Sequence, residues 1–491
     1  MVKISDSFSR TFTEYLILPG RTSRTARIED VSLRSRITDT QEIPLPFLSA
    51  AMQSVTGHEL AIELAKQGGL GVVPCSLPVQ EQADIIEMVK RYRSGFVHNV
   101  RTVGPDEKVS RLLELERLYG HSTYPVVEGR KLVGLISEKR YHPEKDASLA
   151  VRDKMLPFDK LVVAQEGITL DQANDKVIES GIGALPIIDK ERNLKSVVFF
   201  KDLKEHMTYP DAFVDKDKSL MVAGALSTHP EDMERAEVLV KAGADFLVLD
   251  SSDLFSDFAE EAIERYKALR RPIISGNIVH TDAFEFLANL GVDCVKIGQG
   301  SGSICTTRRV KATGRGQATA VLEIARARDR FFSRTGKYIP ICSDGGISST
   351  GDMAVAFALG ADLLMMGKYF ASFTESPYPL TERPFKVVGD GQDEITSVSA
   401  FVKPYWGEAS ARAKNIRRYE HSDPRSFVIE GVEGFVLHKG SLSSQLPKDI
   451  LALKSSMSGT GCRTLREFYE KSRLEVQTTN SHMEGGTSVI K

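Results

Sequence analysis

The sequence predicts an α/β protein, a TIM (β/α)8 barrel with a smaller paired module inserted after its second helix. Three observations lead to this prediction. Short apolar runs alternate with helix-period stretches, the turns between them are short and marked by glycine, and the alternation is interrupted once. Two βα units precede the interruption and six follow it, which gives the eight that close a parallel barrel. An open doubly wound sheet is the alternative, but no G-x-G-x-x-G joins the first strand to the first helix.

The elements can be placed in chain order after a polar, irregular arm at residues 1–40. Apolar runs bounded by glycine or polar residues indicate buried parallel strands. The strands are expected at Pro46–Ala51, Gly71–Pro74, Met221–Leu226, Phe246–Ser251, Pro272–Gly276, Cys294–Gly298, Ile339–Ser343 and Leu363–Gly367. The helices are expected at His58–Lys66, Val79–Arg93, Arg235–Ala242, Phe255–Arg270, Thr281–Leu290, Gln317–Thr335 and Asp352–Leu359.

The interruption, residues 95–217, contains two stretches that resemble each other. Tyr124–Arg140 and Leu185–Asp202 each read as strand, polar turn, strand and charged end, and each follows a helical stretch. A unit of about 60 residues present twice predicts a paired module. The chain therefore divides into three parts. Residues 1–94 form the arm and the first part of the barrel, and residues 95–217 form the module. Residues 218–491 form the remainder of the barrel with a cysteine loop, a flap and a tail.

Composition excludes several classes of protein. The chain has 491 residues, of which 41% are hydrophobic and 26% charged, so it can bury a large core. A formal net charge of −2 gives no electrostatic argument for nucleic acid or a membrane surface, and no apolar run is long enough to span a bilayer. The N-terminus has no apolar signal segment, and five scattered cysteines fit neither a zinc site nor a disulfide framework. We expect a cytoplasmic protein that requires no nucleic acid and no membrane.

The stretch Val295–Arg308 has the strongest chemical signal in the chain. It reads V-K-I-G-Q-G-S-G-S-I-C-T-T-R, a buried strand that breaks into glycines and serines just before Cys305. Glycine lets the backbone approach a ligand, and a cysteine at the edge of such a loop can present a thiolate nucleophile. An inert buried cysteine is the alternative. The position at the end of strand six, where barrels place their active sites, favours the nucleophile.

Polar and glycine residues also follow the other strands of the second half of the barrel. They are Asp250, Ser251 and Ser252 after strand four, Asn277 after strand five, Asp344 and Gly346 after strand seven, and Gly367 and Lys368 after strand eight. Backbone N–H groups after strands seven and eight suit a phosphate, and Asp344 suits ribose hydroxyls. Each residue alone could cap a helix. Together they indicate a phosphorylated ligand of nucleotide size.

The motifs G-S-G-S-I-C-x-T, S-D-G-G-I and M-G-K-Y-F resemble the IMP dehydrogenase / GMP reductase family over nearly the whole chain. The module resembles a tandem pair of CBS motifs, a fold that commonly binds adenine nucleotides. For a dehydrogenase, the resemblance implies that a Cys305 thiolate attacks C2 of IMP, that hydride passes to NAD, and that the covalent intermediate is hydrolysed to XMP in guanine nucleotide synthesis. Water would be activated by Arg418 and Tyr419 in the flap, with Thr307 and Glu430 as a second relay.

The resemblance also implies the ligand contacts. Substrate contacts are Ser303, Asp344, Gly346, Gly367, Lys368, Tyr405, Gly407 and Glu408, and cofactor contacts are Asp250, Ser251, Ser252, Asn277, Gly298 and Gly300. A potassium ion would be held by Gly300, Gly302 and Cys305, with Glu484, Gly485 and Gly486 from a neighbouring subunit. Such a shared site needs an oligomer, and the resemblance implies a homotetramer or an octamer. Adenine or guanine nucleotides are expected at the CBS pair.

Two alternatives to a dehydrogenase remain open at this point. Thr306 follows the cysteine as it does in GMP reductases, which deaminate GMP to IMP with NADPH. A reductase needs no water-activating pair and usually lacks the CBS insert, so Arg418, Tyr419 and the insert favour the dehydrogenase. A non-catalytic, nucleotide-sensing assembly protein that acts through the CBS pair is the other alternative.

Overall fold

The computed structural model describes residues 8–92, 96–97, 100–119, 122–200, 209–388, 395–413 and 428–485. The chain forms two compact units. One comprises residues 1–91, 211–213 and 221–491, and the other comprises 92–210 and 214–220. Within the described ranges, no helix combines the length and the apolar character needed to cross a membrane.

The larger unit contains a closed barrel of eight parallel strands. The strands are Phe47–Ser49, Gly71–Val73, Val222–Leu226, Phe246–Asp250, Ile273–Ile278, Cys294–Ile297, Ile341–Asp344 and Leu363–Met366. Strands two to eight pair in chain order, and strand eight pairs with strand one. The ring closes where Leu70 N donates to Phe47 O and Ser49 N donates to Leu70 O. The predicted TIM barrel is confirmed, and the open sheet is excluded.

A helix follows each of the eight barrel strands along the chain. These helices are His58–Lys66, Val79–Arg91, Asp232–Ala242, Asp257–Lys267, Thr281–Asn289, Gln317–Thr335, Thr350–Ala358 and the short Lys368–Ala371. In the first of these helices, Leu60, Ala61 and Leu64 recur on the face that is buried against the strands. The later helix Leu442–Gly459 packs against the first and seventh helices and so completes the outer ring.

Further elements of the larger unit lie outside the ring of strands and helices. A three-stranded antiparallel sheet, Thr381–Val388, Ile395–Trp406 and Glu433–Leu437, follows the barrel, and helices Leu465–Lys471 and Thr479–Glu484 lie near the C-terminus. The arm predicted to be irregular contains the strand Tyr15–Leu18, which pairs antiparallel with Arg473–Val476. Four residues give little periodic signal, and the partner strand lies at the other end of the chain. The sequence therefore could not indicate this pairing.

The smaller unit contains a helix followed by a two-stranded hairpin twice. Its helices are Val109–Tyr119, Val151–Lys154 and Leu170–Ser180, and its strands are Phe96–Val97, Thr123–Glu128, Lys131–Ser137, Leu156–Pro157, Ala164–Gln165, Ala184–Ile188 and Leu194–Phe199. These strands form one three-stranded and one four-stranded sheet. Each half has its own apolar core, one around Leu112 and Ile136 and the other around Val177 and Val198. The internal repeat read from the sequence corresponds to these two halves.

A buried cation lies at the N-terminal end of the barrel strands. Arg328, on the helix after strand six, is 1% exposed, and its Nη1 donates to Gly360 O and to Asp362 Oδ2, both at 2.7 Å. Its Nη2 lies 2.9 Å from Asp329 Oδ1, and Tyr338 Oη donates to Asp362 Oδ1 at 2.7 Å. Burial lowers the pKa of Arg328, but the carboxylates of Asp362 and Asp329 raise it above its ordinary value. This cluster therefore ties helix six to the start of strand eight through a charged group.

Candidate active site

A cavity of about 680 Å³ lies at the C-terminal ends of the barrel strands. This volume is within the range of small-molecule sites, which is about 300–1,000 Å³. Among the residues that sequence reasoning proposed, those that line it are Asp250, Ser251, Ser252, Asn277, Gly302, Ser303, Cys305, Thr307, Asp344, Gly346, Gly367, Lys368, Tyr405, Gly407, Glu408 and Glu430. Residues from strands four to eight and from the later antiparallel sheet therefore meet in one cavity.

Cys305 is the first member of a short contact chain. It lies between the end of strand six and the short helix Thr307–Val310, and it is partly exposed. Its Sγ lies 3.1 Å from Thr307 Oγ1, and Thr307 Oγ1 donates to Glu430 Oε2 at 2.7 Å. A thiol, a hydroxyl and a carboxylate are thus connected within hydrogen-bond distance. This arrangement can move a proton between the cavity and the carboxylate.

Backbone contacts fasten Glu430 to the cysteine loop. Thr306 N donates to Glu430 O at 2.8 Å, and Val432 N donates to Ile304 O at 3.1 Å. The Glu430 carboxylate also pairs with Lys311 Nζ at 2.9 Å. Glu430 is 123 residues from Thr307 in the chain, so the fold alone brings the two together.

A buried lysine that the sequence reading missed lies beside the cavity. Lys296, on strand six, is 1% exposed, and its Nζ donates to Asp250 Oδ1 at 2.6 Å, to Asp344 Oδ2 at 3.1 Å and to Asn277 Oδ1. Asn277 Nδ2 in turn donates to Asp344 Oδ2 at 3.0 Å and to Gly298 O at 2.6 Å. Burial lowers the pKa of Lys296, but the carboxylates of Asp250 and Asp344 raise it above its ordinary value. The ammonium is therefore charged and shared by two residues that line the cavity.

The turn after strand six is held against strand seven by Gln317. Its Nε2 donates to Ile297 O at 2.7 Å and to Asp344 O at 3.2 Å. Ser301 Oγ donates to the same Asp344 carbonyl at 2.9 Å. Gly298 has a φ of +149°, and a Cβ there would lie 2.2 Å from Asp344 O. Only glycine allows the two backbones to approach this closely.

The strand Ile395–Trp406 delivers polar groups to the opposite wall of the cavity. Tyr405 is 5% exposed, and burial raises its pKa to about 12, although a hydrogen bond with Ser303 opposes this. Glu408, just after the strand, accepts a hydrogen bond from Gln53 N at 2.8 Å. A Cβ at Gly367 would lie 2.8 Å from the Tyr405 hydroxyl, so a larger residue there would push against this side chain.

Several proposed residues do not line the cavity. Gly298 and Gly300 shape the cysteine loop from outside it, and Glu484 and Gly485 are exposed at the end of the helix Thr479–Glu484. Arg418, Tyr419 and Gly486 fall outside the described residues. In the part of the chain that the structure describes, no three His, Cys, Asp or Glu residues cluster in a way that could hold a metal ion.

The structure adds cavity residues that sequence reasoning did not propose. They are Ala50, Ala51, Met52, Ser301, Ile304, Lys311, Gly345, Ile347, Ser348, Met365, Met366, Ala409, Val428 and Gly431. Many of them adjoin a residue that was proposed. Extending each strand-end motif by one or two positions would have found them.

Comparison with known proteins gives one family. The family model described as IMP dehydrogenase / GMP reductase domain matches residues 9–488. An inosine-5'-monophosphate dehydrogenase from Tritrichomonas foetus is 35% identical over 503 aligned positions, covering 99% of this chain and 97% of that protein. The corresponding protein of Aquifex aeolicus is 35% identical, covering 94% of this chain and 92% of that protein.

Similar solved structures are GMP reductases from Trypanosoma brucei. A cysteine-to-alanine variant in complex with guanosine 5'-monophosphate has a TM-score of 0.87 at 29% identity and covers 99% of both chains. A complex with guanosine 5'-triphosphate has a TM-score of 0.77 at 26% identity, covering 96% of this chain and 99% of that chain. Because the first likeness spans nearly all of both chains, that reductase has a counterpart of the insert. The insert by itself therefore does not separate a dehydrogenase from a reductase.

Proposed function

Because the chain belongs to the IMP dehydrogenase / GMP reductase family of oxidoreductases, we propose that it is an NAD-dependent IMP dehydrogenase, which oxidises IMP to XMP. The observation that carries the proposal is the contact chain from Cys305 through Thr307 to Glu430 inside a nucleotide-sized cavity. The relatives named as IMP dehydrogenases are 35% identical over nearly the whole chain, and they support a dehydrogenase rather than a reductase. Arg418 and Tyr419, present in the sequence, would form the pair that activates water.

The nucleotide would bind across strands six to eight. Asp344 would accept hydrogen bonds from the ribose hydroxyls, since its carboxylate lines the cavity. Gly346 adopts a φ of +74°, a turn conformation that can direct backbone N–H groups at a phosphate. The remaining proposed substrate contacts are Ser303, Gly367, Lys368, Tyr405, Gly407 and Glu408. This placement would set the purine ring beside the Cys305 thiol.

The cavity residues on strands four and five fit the dinucleotide. Asp250, Ser251 and Ser252 line the cavity with Asn277, and a carboxylate beside an amide suits the hydroxyls of the nicotinamide ribose. Gly298 and Gly300 would keep the adjoining loop close to the ligand. The bound nicotinamide would supply the acceptor for hydride. The chain's own part is to hold both rings in one cavity, which favours direct transfer between them.

The protein groups then divide the chemistry into two steps. The Cys305 thiolate forms a C–S bond at C2 of the purine, and hydride leaves that carbon. A water molecule next adds to the same carbon, the C–S bond breaks, and the water gives up a proton. Thr307 lies between the thiol and the Glu430 carboxylate. The proton released by water would therefore pass through the Thr307 hydroxyl to Glu430.

A potassium ion is proposed at the cysteine loop. Its ligands would be the carbonyl oxygens of Gly300, Gly302 and Cys305, with Glu484, Gly485 and Gly486 supplied by a neighbouring subunit of a homotetramer. The loop fits this role because Gly300 has a φ of +73°, and a Cβ there would lie 2.5 Å from Arg308 Cγ. Oxygen ligands suit a hard cation, and glycine leaves the carbonyls free to converge. The ion would fix the shape of the loop that carries the nucleophile.

GMP reductase is the second candidate function, and specific observations favour it. Thr306 follows the cysteine as in reductases, and the similar solved structures are named GMP reductases. A spectrophotometric assay in potassium buffer with IMP and NAD, beside GMP and NADPH, separates the two. NADH formation supports the dehydrogenase, and NADPH oxidation with ammonia release supports the reductase. Turnover of either substrate pair would exclude the non-catalytic assembly protein.

Replacement of potassium by lithium in the same assay should reduce the turnover rate, because the proposed ion fixes the cysteine loop.

The insert would act as a pair of CBS motifs that binds adenine or guanine nucleotides. A second cavity, of about 290 Å³, lies within the smaller unit between its two hairpins. Its lining includes the cations Arg130 and Lys195, with Thr102 and Asn193 as polar neighbours. Titration calorimetry of the full chain is expected to give saturable binding of ATP or GTP, weakened by Arg130→Glu. Absence of binding by both nucleotides would contradict this role.

Replacing Glu430 by glutamine is expected to slow turnover by about 10²–10⁴-fold, the usual contribution of a general acid or base. Glutamine keeps the shape and the contact with Thr307 Oγ1 but cannot take a proton. The control is Glu433→Gln, an exposed glutamate in the same segment that does not line the cavity. Steady-state rates with saturating substrates measure the effect. Equal rates for the two variants would remove Glu430 from the mechanism.

A further inference from the structure

Lys296 occupies a position that lets one cation serve two binding sites. In the barrel, Asp250 is the register partner of Gly276, and Gly276 is the register partner of Lys296. Side chains at register partners of parallel strands point to the same side of the sheet. A Cβ at Gly276 would lie 2.4 Å from Lys296 Cβ. The glycine on the middle strand thus leaves the space through which the lysine reaches Asp250.

The three protons of the ammonium match the three acceptors around it. Nζ donates to Asp250 Oδ1, to Asn277 Oδ1 and to Asp344 Oδ2, and the lysine side chain itself is 1% exposed. Asp250 and Asp344 belong to strands four and seven, on either side of the lysine's strand. Within the described residues, no hydrogen bond is found to Asp344 Oδ1, and this residue lines the cavity. The lysine therefore engages one oxygen of Asp344 and leaves the other for a ligand.

We propose that Lys296 is a positioning residue that fixes Asp250 and Asp344 together, so that nucleotide and dinucleotide binding both depend on this one ammonium. The proposal rests on the proposed function, in which Asp344 holds the ribose of the nucleotide and Asp250 that of the dinucleotide. Loss of the cation would leave two carboxylates in a partly buried region without their shared counter-charge. Repulsion between the two carboxylates would then move them away from their present positions. Both ribose contacts would be lost by one substitution on a residue that touches neither ligand.

The test measures both Michaelis constants in Lys296→Met, with whichever substrate pair the wild-type protein turns over. Each KM should rise by about tenfold or more, since each ligand loses hydrogen bonds to a charged group, while kcat changes less. Lys296→Arg should recover part of both losses, because guanidinium restores the charge and several donors. Should Lys296→Met not fold, Lys296→Gln gives the same comparison.

Arg328→Met is the matched control, because Arg328 is an equally buried cation between two carboxylates at the other end of the barrel. It should lower the thermal midpoint and leave both KM values unchanged. A purely structural role for Lys296 would produce the same result as this control and would overturn the proposal, as would a rise in only one KM. A wild-type protein that turned over neither pair would instead overturn the proposed function.

Discussion

Cys305→Ala is expected to abolish turnover, with a loss of at least about 10⁴-fold in kcat, because Cys305 is the only thiol among the described residues that line the cavity. The variant should still bind the nucleotide, since the proposed ribose and phosphate contacts come from other strands. Absorbance of the reduced dinucleotide measures turnover, and titration calorimetry measures binding. Retained binding with lost turnover would place the thiol in the chemical step.

Cys75→Ala is the control for this experiment. Cys75 is also partly exposed, but it follows strand two and does not line the cavity. Mass spectrometry of the acid-quenched wild-type enzyme should show a purine adduct on the peptide that contains Cys305. An unmodified Cys305 peptide during turnover, or a Cys305→Ala protein as active as Cys75→Ala, would contradict covalent catalysis.

The barrel could be predicted because its signals are local. Each strand is a continuous apolar run, and each turn has a glycine or polar stop, so eight units could be counted along the chain. The strand ends then indicated the site, because parallel strands bring all their C-terminal ends to one edge. Cys305 and Asp344 could be found in this way from the sequence alone.

No local signal indicates the contacts between side chains in distant parts of the chain, and only the family resemblance pairs Thr307 with Glu430. Glu430 meets Thr307 only because strand Glu433–Leu437 pairs beside Ile395–Trp406 and carries the preceding residues back to the cysteine loop. Lys296 reads as a polar interruption in the apolar run C-V-K-I. Nothing local indicates that its charge is matched by carboxylates on two other strands. A lysine is rarely buried unless it is paired with an anion. Its place inside an apolar strand was therefore the one signal in the sequence for these ion pairs.

Arg328 was missed for a related reason. The run R-A-R-D-R around it has the composition of a solvated helix face. The structure exposes Arg326 and Arg330 and buries Arg328, which lies four residues after the buried Ile324 on the same face. The helical period therefore places Arg328 on the buried face of the helix and Arg326 and Arg330 on its exposed face. The charge of Arg328 alone must then be compensated inside the protein.

Arg328→Met is expected to lower the free energy of unfolding of the larger unit by about 3–5 kcal/mol, the usual cost of removing one partner of a buried ion pair. The substitution leaves the Asp362 carboxylate without its arginine and Gly360 O without its donor, whereas Asp329 keeps Arg466 at 3.8 Å. Urea unfolding followed by fluorescence measures the change. Arg326→Met, on the exposed face of the same helix, should change the midpoint little, because surface substitutions are usually within about 0.5 kcal/mol.

Asp362→Asn in the Arg328→Met background separates charge from packing. Asp362 accepts from Arg328, from Tyr338 and from Ile341 N, and asparagine keeps one acceptor oxygen. Removing the charge should therefore relieve part of the loss caused by Arg328→Met if the unpaired carboxylate is the cause. If lost packing of the arginine were the cause instead, the two substitutions would destabilise additively. A double variant less stable than Arg328→Met would therefore contradict the electrostatic account. Partial recovery would mean that the barrel's N-terminal end depends on charge pairing, as the proposed ribose-binding end does through Lys296.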